Sequence, residues 1–331
     1  MTTAKLRWGI LGVAKINDRL LPAFPKTKHA DLRAIASRSR DRAEAAARSV
    51  GIPVAHGSYE ALLDDPNIDA VYIPLPNTLH GEWTRQAAER GKHVLCEKPL
   101  TPTAAEAAAL VAFCKAKKVA LMDGFMWPHH PRTAQLKRFL LDGGIGEVRR
   151  VTASFTFALP LDPNNIRLRP ETAGGSLLDV GCYPVYAIRW AFGAEPARVV
   201  AKARYHHGDG VDLEMNGLVV LGDGRVATFD CGFTLPYRGD IEITGTEGVV
   251  TVPAMWLPPR RATWVVKRDE REPQEYAVEG ADQIVEMLDH FSGAVLRGEP
   301  VRPGPEEAVK TLKVLDALAR SAREECEVAV L

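Results

Sequence analysis

The stretch Leu6-Arg7-Trp8-Gly9-Ile10-Leu11 running into Gly12-Val13-Ala14-Lys15-Ile16-Asn17 decides the fold. The short apolar run reads as a buried strand, and the glycine after it permits a tight turn into a helix. Gly12, Ala14 and Asn17 stand at the three glycine positions of the dinucleotide fingerprint. Only Gly12 matches strictly. Ala14 is small enough for a pyrophosphate to approach backbone N–H groups, so Gly12, Val13, Ala14, Lys15 and Ile16 are the expected phosphate contacts. Asn17 departs where the third glycine serves helix–strand packing, so the departure touches geometry more than phosphate binding.

Working outward, a second strand, Leu32 to Ala36, ends at Ser37-Arg38, where the ribose-reading residue belongs. No carboxylate stands there to accept from a 2′-hydroxyl. A hydroxyl beside a guanidinium suits a 2′-phosphate, so NADP is the expected cofactor, with NAD as the alternative. The competing reading makes Arg38 and Arg40 a solvated basic turn.

From there strands alternate with helices: Ala70 to Ile73, His93 to Cys96 and Val119 to Met122, with helices at Asp41 to Val50, His80 to Arg90 and Thr103 to Lys117. That rhythm predicts a doubly wound parallel sheet of the Rossmann type over residues 1–125. Beyond residue 126 one helix, Pro131 to Leu141, precedes β-rich sequence, and two more helices, Gln283 to Arg297 and Pro305 to Arg323, close the chain. This predicts an α+β domain over 126–331 whose large, mostly antiparallel sheet carries helices on one face. Its other face is left open for a subunit partner, giving a homodimer or tetramer. The apolar and aromatic residues of 151–157 and 228–233 are the expected interface.

A length of 331 residues suits two such domains. Lysines plus arginines number 42 and aspartates plus glutamates 42, so no overall field recruits nucleic acid or an anionic membrane. Five scattered cysteines without CxxC spacing argue for reduced thiols and against a zinc site. The first strand begins too early for a signal peptide, and no apolar run reaches membrane-spanning length, so the expected location is the cytoplasm.

Two further stretches carry chemistry. Glu97-Lys98-Pro99 follows the strand His93 to Cys96, so Lys98 lies beyond the carboxyl end of a parallel strand, where ligands gather. A charged pair before proline is by itself an ordinary loop. Later, Gly174-Gly175-Ser176-Leu177-Leu178-Asp179-Val180-Gly181-Cys182-Tyr183 leads into a helical run. On a helix Asp179 and Tyr183 share one face. A phenol with pKa about 10 is a poor base at neutral pH, but a neighbouring ammonium favours phenolate, and Lys98 is the candidate. The bland alternative is a glycine turn before a core helix with a buried Tyr.

In this order the motifs resemble the Gfo/Idh/MocA-type oxidoreductases, over nearly the whole chain. The resemblance rests on Gly9 to Ala14, on Ile73-Pro74-Leu75-Pro76-Asn77 to His80, on Glu97-Lys98-Pro99-Leu100, on Gly174 to Tyr183 and on Gly245-Thr246-Glu247-Gly248. It implies that Lys98 is the catalytic lysine, that Pro99 follows a cis peptide bond, and that Tyr183 is the acid/base of the dihydrodiol and xylose dehydrogenase branch. Asp179 would orient Lys98 or a substrate hydroxyl. Pro74, Leu75, Asn77, His80, Glu97, Lys98 and Trp127 become cofactor contacts, as does Arg167 of the Asn164-Asn165-Ile166-Arg167 loop. Pro128 stands where such relatives usually carry an Arg, so His129 or His130 substitutes or the substrate differs. Neither that His pair nor His206-His207 is read as a metal site.

The expected function is therefore NADP-dependent hydride transfer with a sugar at pyranose C1, D-xylose-like, or a vicinal diol. The alternatives are a keto-sugar or dicarbonyl reductase and, in another class, a non-catalytic dinucleotide-binding regulator. A regulator can lose Lys98 and Tyr183 without penalty, and both are present.

Overall fold

The computed structural model describes residues 4–207 and 210–331. The chain forms two compact units, one running to His129 and taking in Asp282–Val309, the other comprising His130–Ala281 and Lys310–Leu331.

The first unit is a parallel sheet of six strands, β1 (Leu6–Leu11), β2 (Ala30–Ala36), β3 (Val54–His56), β4 (Ala70–Ile73), β5 (His93–Cys96) and β6 (Leu121–Asp123), in the order β3-β2-β1-β4-β5-β6. That is the doubly wound order whose switch point lies between β1 and β4. Its helices are α1 (Asn17–Leu20), α2 (Arg40–Val50), α3 (Tyr59–Leu63), α4 (Asn77–Glu89) and α5 (Ala104–Ala116). Ser39 and Thr103 cap α2 and α5 by accepting from Arg42 and Glu106 N–H, so local chemistry fixes where these helices begin. Strand β3 and helix α3 escape a sequence reading because three residues ending in His56 show no apolar run.

A boundary at residue 125 leaves the helix α8 (Gln283–Arg297) in the second domain; in the structure α8 packs on the first. Met287, Leu288 and Phe291 join the core of Trp8, Phe24 and Tyr72. The Trp8 ring lies 5.2 Å from Phe291, and its indole N–H donates to Ser292 Oγ at 3.0 Å. Burying side chains of this size is worth about 1.5–3 kcal/mol each, which outweighs nearness in sequence.

The second unit is built on a ten-stranded sheet of β7 (Val148–Ala158), β8 (Pro196–Tyr205), β9 (Asp212–Leu221), β10 (Val226–Gly232), β11 (Thr234–Arg238), β12 (Ile241–Gly245), β13 (Val249–Val252), β14 (Arg261–Lys267), β15 (Gln274–Glu279) and β16 (Val328–Ala329). Pairings are antiparallel except β10 with β7. The remaining helices are α6 (Pro131–Leu141), α7 (Cys182–Phe192) and α9 (Glu306–Glu324). Within this unit α7 packs on β7 and β10.

The interface read from sequence needs correction. Phe155, Phe229, Cys231 and Phe233 are buried in the core. Alternation along each strand leaves Thr152, Thr228, Asp230, Asn216 and Leu218 on the other face. That face is a shallow concavity of about 440 Å³, lined also by Val200 and Lys202.

Candidate active site

Gly12 leaves β1 with φ +131°, a conformation L side chains rarely adopt, and a Cβ there would sit 3.1 Å from Leu75 Cδ2. Its N–H donates to the Ala36 carbonyl at 3.0 Å, which ties the turn to the end of β2. Asn17, at the third fingerprint position, is buried and donates from Nδ2 to the Gly12 carbonyl at 2.9 Å. An amide thus replaces the glycine by closing the turn from inside. Val13, Ala14 and Ile16 are half-buried and Lys15 is exposed, so the outer side of the turn is open.

Past β2, Ser37 is buried, and its Oγ accepts from Ser39 N–H at 3.2 Å. Arg38 is exposed, and its positive charge opposes the burial that pushes the titration of Tyr59 up. Arg42 reaches the Val13 carbonyl at 3.4 Å. Tyr59 and Arg42 were not foreseen. The available signal for Tyr59 was Ser58, which caps α3 by accepting from Ala61 N–H.

The peptide before Pro99 is cis, as expected. Lys98, half-buried, stands beyond the carboxyl end of β5. Behind it the buried Glu97 accepts from the Tyr72 hydroxyl and from Lys98 N–H at 3.3 Å. His80 is fully buried, with Nε2 at 2.7 Å from the Leu75 carbonyl and Nδ1 at 2.8 Å from the Pro99 carbonyl. Burial, assisted by the Lys98 charge, holds its imidazole below the usual range. The neutral ring has one N–H to donate, so it bonds one of these carbonyls and packs between the loop after β4 and the lysine loop. Trp127, also fully buried, likewise lies behind the surface, whereas Asn77 at the start of α4 is half exposed.

In the second unit the Gly-rich turn leads into a π turn, Leu177–Gly181, and then α7. Tyr183 is buried against Phe155, edge-on at 5.1 Å, and Trp256 at 5.7 Å. Asp179 is joined to Arg167, whose Nε donates to Oδ2 at 2.6 Å. Two residues read separately from sequence are thus one ion pair. Gly175, at φ +109°, donates its N–H to the Arg167 carbonyl at 2.8 Å, and a Cβ on it would meet Asp212 Oδ1 at 2.3 Å. Gly175→Ala is expected to cost about 2–4 kcal/mol from strained backbone plus overlap, read by urea unfolding. A change below about 0.5 kcal/mol would contradict this packing.

The two histidines after Pro128 have structural places. His129 lies 5.3 Å from the His290 ring, and burial together with His290 pushes its titration down to about 3. His130 caps α6, its Nδ1 accepting from Arg132 N–H at 3.0 Å.

A family profile described as "Oxidoreductase family, NAD-binding Rossmann fold" matches residues 6–125, and "GFO/IDH/MocA C-terminal domain" matches 133–251. The chain is 40% identical to D-xylose 1-dehydrogenase (NADP(+)) 2 of Haloferax volcanii, over 96% of this chain and 97% of that one. It is 34% identical to trans-1,2-dihydrobenzene-1,2-diol dehydrogenase of Mus musculus, over 84% and 82%. Among solved structures, a mutant of a 3-ketoreductase from Actinomadura kijaniata, in complex with TDP-benzene and NADP, aligns with TM-score 0.89 at 33% identity, covering 96% and 98%.

Proposed function

The chain belongs to the Gfo/Idh/MocA oxidoreductases and is an NAD(P)-dependent enzyme, and from that premise we propose that it moves hydride between NADP and a sugar at pyranose C1, D-xylose-like, or a vicinal diol. The observation that carries this reading lies within the first unit. The Gly12 turn leaves β1 at the switch point of the sheet, and Lys98 leaves β5 at the same carboxyl edge. Leu75 lies where a Cβ on Gly12 would point, and the His80 ring sits between the Leu75 and Pro99 carbonyls, which brings the cofactor turn and the lysine loop close together.

The residues present fit NADP. The open outer side of the Gly12 turn admits a pyrophosphate, with Val13, Ala14, Lys15 and Ile16 around it. Ser37 and Arg38 would hold the 2′-phosphate. When bound, the nicotinamide gives or takes hydride at the substrate carbon. In oxidation Tyr183 takes the hydroxyl proton, and in reduction it returns that proton to the carbonyl oxygen. The Lys98 ammonium supplies positive charge to the developing alkoxide. Asp179, already neutralised by Arg167, orients substrate hydroxyls.

Likeness to the 3-ketoreductase favours a second reading, in which the same groups reduce a keto-sugar. Assembly through the half-exposed sheet face of Thr152, Val200, Leu218 and Thr228 completes the proposal, as a homodimer or tetramer. Among the described residues no helix is long and apolar enough to cross a membrane, and we place the enzyme in the cytoplasm.

Fluorescence titration with NADPH and NADH tests the cofactor assignment. Wild type is expected to bind NADPH more tightly. Arg38→Ala should weaken NADPH by about 10–100-fold, the loss of one charge-assisted contact, and leave NADH nearly unchanged. Equal weakening of both would remove Arg38 from phosphate recognition.

A further inference from the structure

Asp212 opens β9 with a carboxylate that neither cofactor binding nor proton transfer uses. Its Oδ2 accepts from the Ser176 hydroxyl at 2.6 Å and from Leu177 N–H at 2.7 Å. These donors stand at the head of the helical run formed by the π turn Leu177–Gly181 and α7. The first N–H groups of a helix have no partner inside it, and the Ser176 side chain caps none of them. A carboxylate delivered from a distant strand does so instead, and its charge suits the positive end of the helix. Burial pushes the Asp212 acid up, while the Ser176 hydroxyl and the neighbouring backbone N–H groups pull it the other way. Gly175 makes the approach possible, since any Cβ there would meet Asp212 Oδ1 at 2.3 Å. Ser176 is itself fully buried, with its hydroxyl 3.6 Å from Cys231 Sγ on β10.

The π turn gives this anchor its consequence. A π turn holds one residue more than an α turn, and one residue corresponds to about 100° of rotation about the helix axis. The tail of the run is fixed by Val185, Ile188 and Ala191, buried in the core. With the tail fixed, the surplus residue persists only while the head is fixed as well.

We propose that Asp212 is a positioning residue: by holding Ser176 and Leu177 it keeps the π turn wound and so sets where Asp179 and Tyr183 point. Its kinetic consequence rests on Tyr183 being the proton-transfer group; its structural consequence does not.

The test compares wild type with Asp212→Ala, Asp212→Asn and Ser176→Ala by hydrogen exchange over residues 175–183, NADPH titration and kcat. Asp212→Ala is expected to speed exchange of this segment by at least about tenfold, the loss of two buried hydrogen bonds. It should also lower kcat about 100-fold, as misplaced reacting groups do, with NADPH affinity unchanged. Asp212→Asn keeps an acceptor oxygen and should restore protection and most of kcat. If the alanine variant does not fold, Ser176→Ala, which removes one donor, should show the same changes at smaller size. Unchanged exchange in Asp212→Ala or Ser176→Ala overturns the proposal, as does an asparagine variant no better than alanine. Altered exchange in a protein whose wild type turns over no sugar, diol or keto-sugar would support the Asp212 anchor and sink the proposed function instead. Full kcat in Asp212→Ala, where Lys98→Met is inactive, would sink the anchor's kinetic role alone.

Discussion

Lys98→Met is expected to lower kcat by at least about a thousandfold while NADPH binds as it does to wild type. Methionine keeps the length and apolar stem of lysine and removes only the ammonium. The packing around the loop is set elsewhere, by the Glu97 carboxylate with Tyr72 and by His80 on the Pro99 carbonyl. A preorganised charge acting on a developing alkoxide is among the largest single contributions to catalysis. The measurement is steady-state turnover beside a fluorescence titration of NADPH. Retained turnover would remove the lysine from the mechanism, and lost binding would make it a cofactor anchor.

Tyr183→Phe should cost about 10²–10⁴-fold in kcat with little change in KM, because it removes a proton donor and acceptor and keeps the ring. Phe155 and Trp256 already enclose that ring, so phenylalanine fits the same space without loss of packing. The oxidative pH profile supplies the second readout. The wild-type limb that follows Tyr183 ionisation should disappear in the variant, leaving a slow, flat reaction. A variant with the wild-type profile would show that another group moves the proton.

The first unit was the more legible part of the fold. Buried parallel strands such as Val94-Leu95-Cys96 announce themselves as apolar runs, and Gly12 marks the switch point because no other residue suits φ +131°. The place of α8 was not legible. Its apolar spacing predicts a helix, but only the fit of Phe291 against Trp8 says which sheet it covers.

In the second unit the strands were visible, while the face of each aromatic was not. Phe155 and Phe229 read equally well as core or as interface until register fixes the alternation. The candidate site divides along similar lines. Lys98, Asp179, Tyr183 and Arg38 were nominated by residue chemistry and spacing. The ion pair of Arg167 with Asp179 and the Asp212 anchor depend on residues apart in the chain, and no periodicity encodes them. His80 and Trp127 were assigned to the cofactor surface from their motifs, and burial sets both behind it.

The measurement that tests the central claim most directly is reduction of NADP⁺ by purified protein with D-xylose, D-glucose and a trans-diol, followed spectrophotometrically beside NADPH oxidation with keto-sugars. NADPH-linked turnover of at least one of these, absent in Lys98→Met, is the predicted result. Tight NADPH binding with no turnover in either direction on any of them would contradict it.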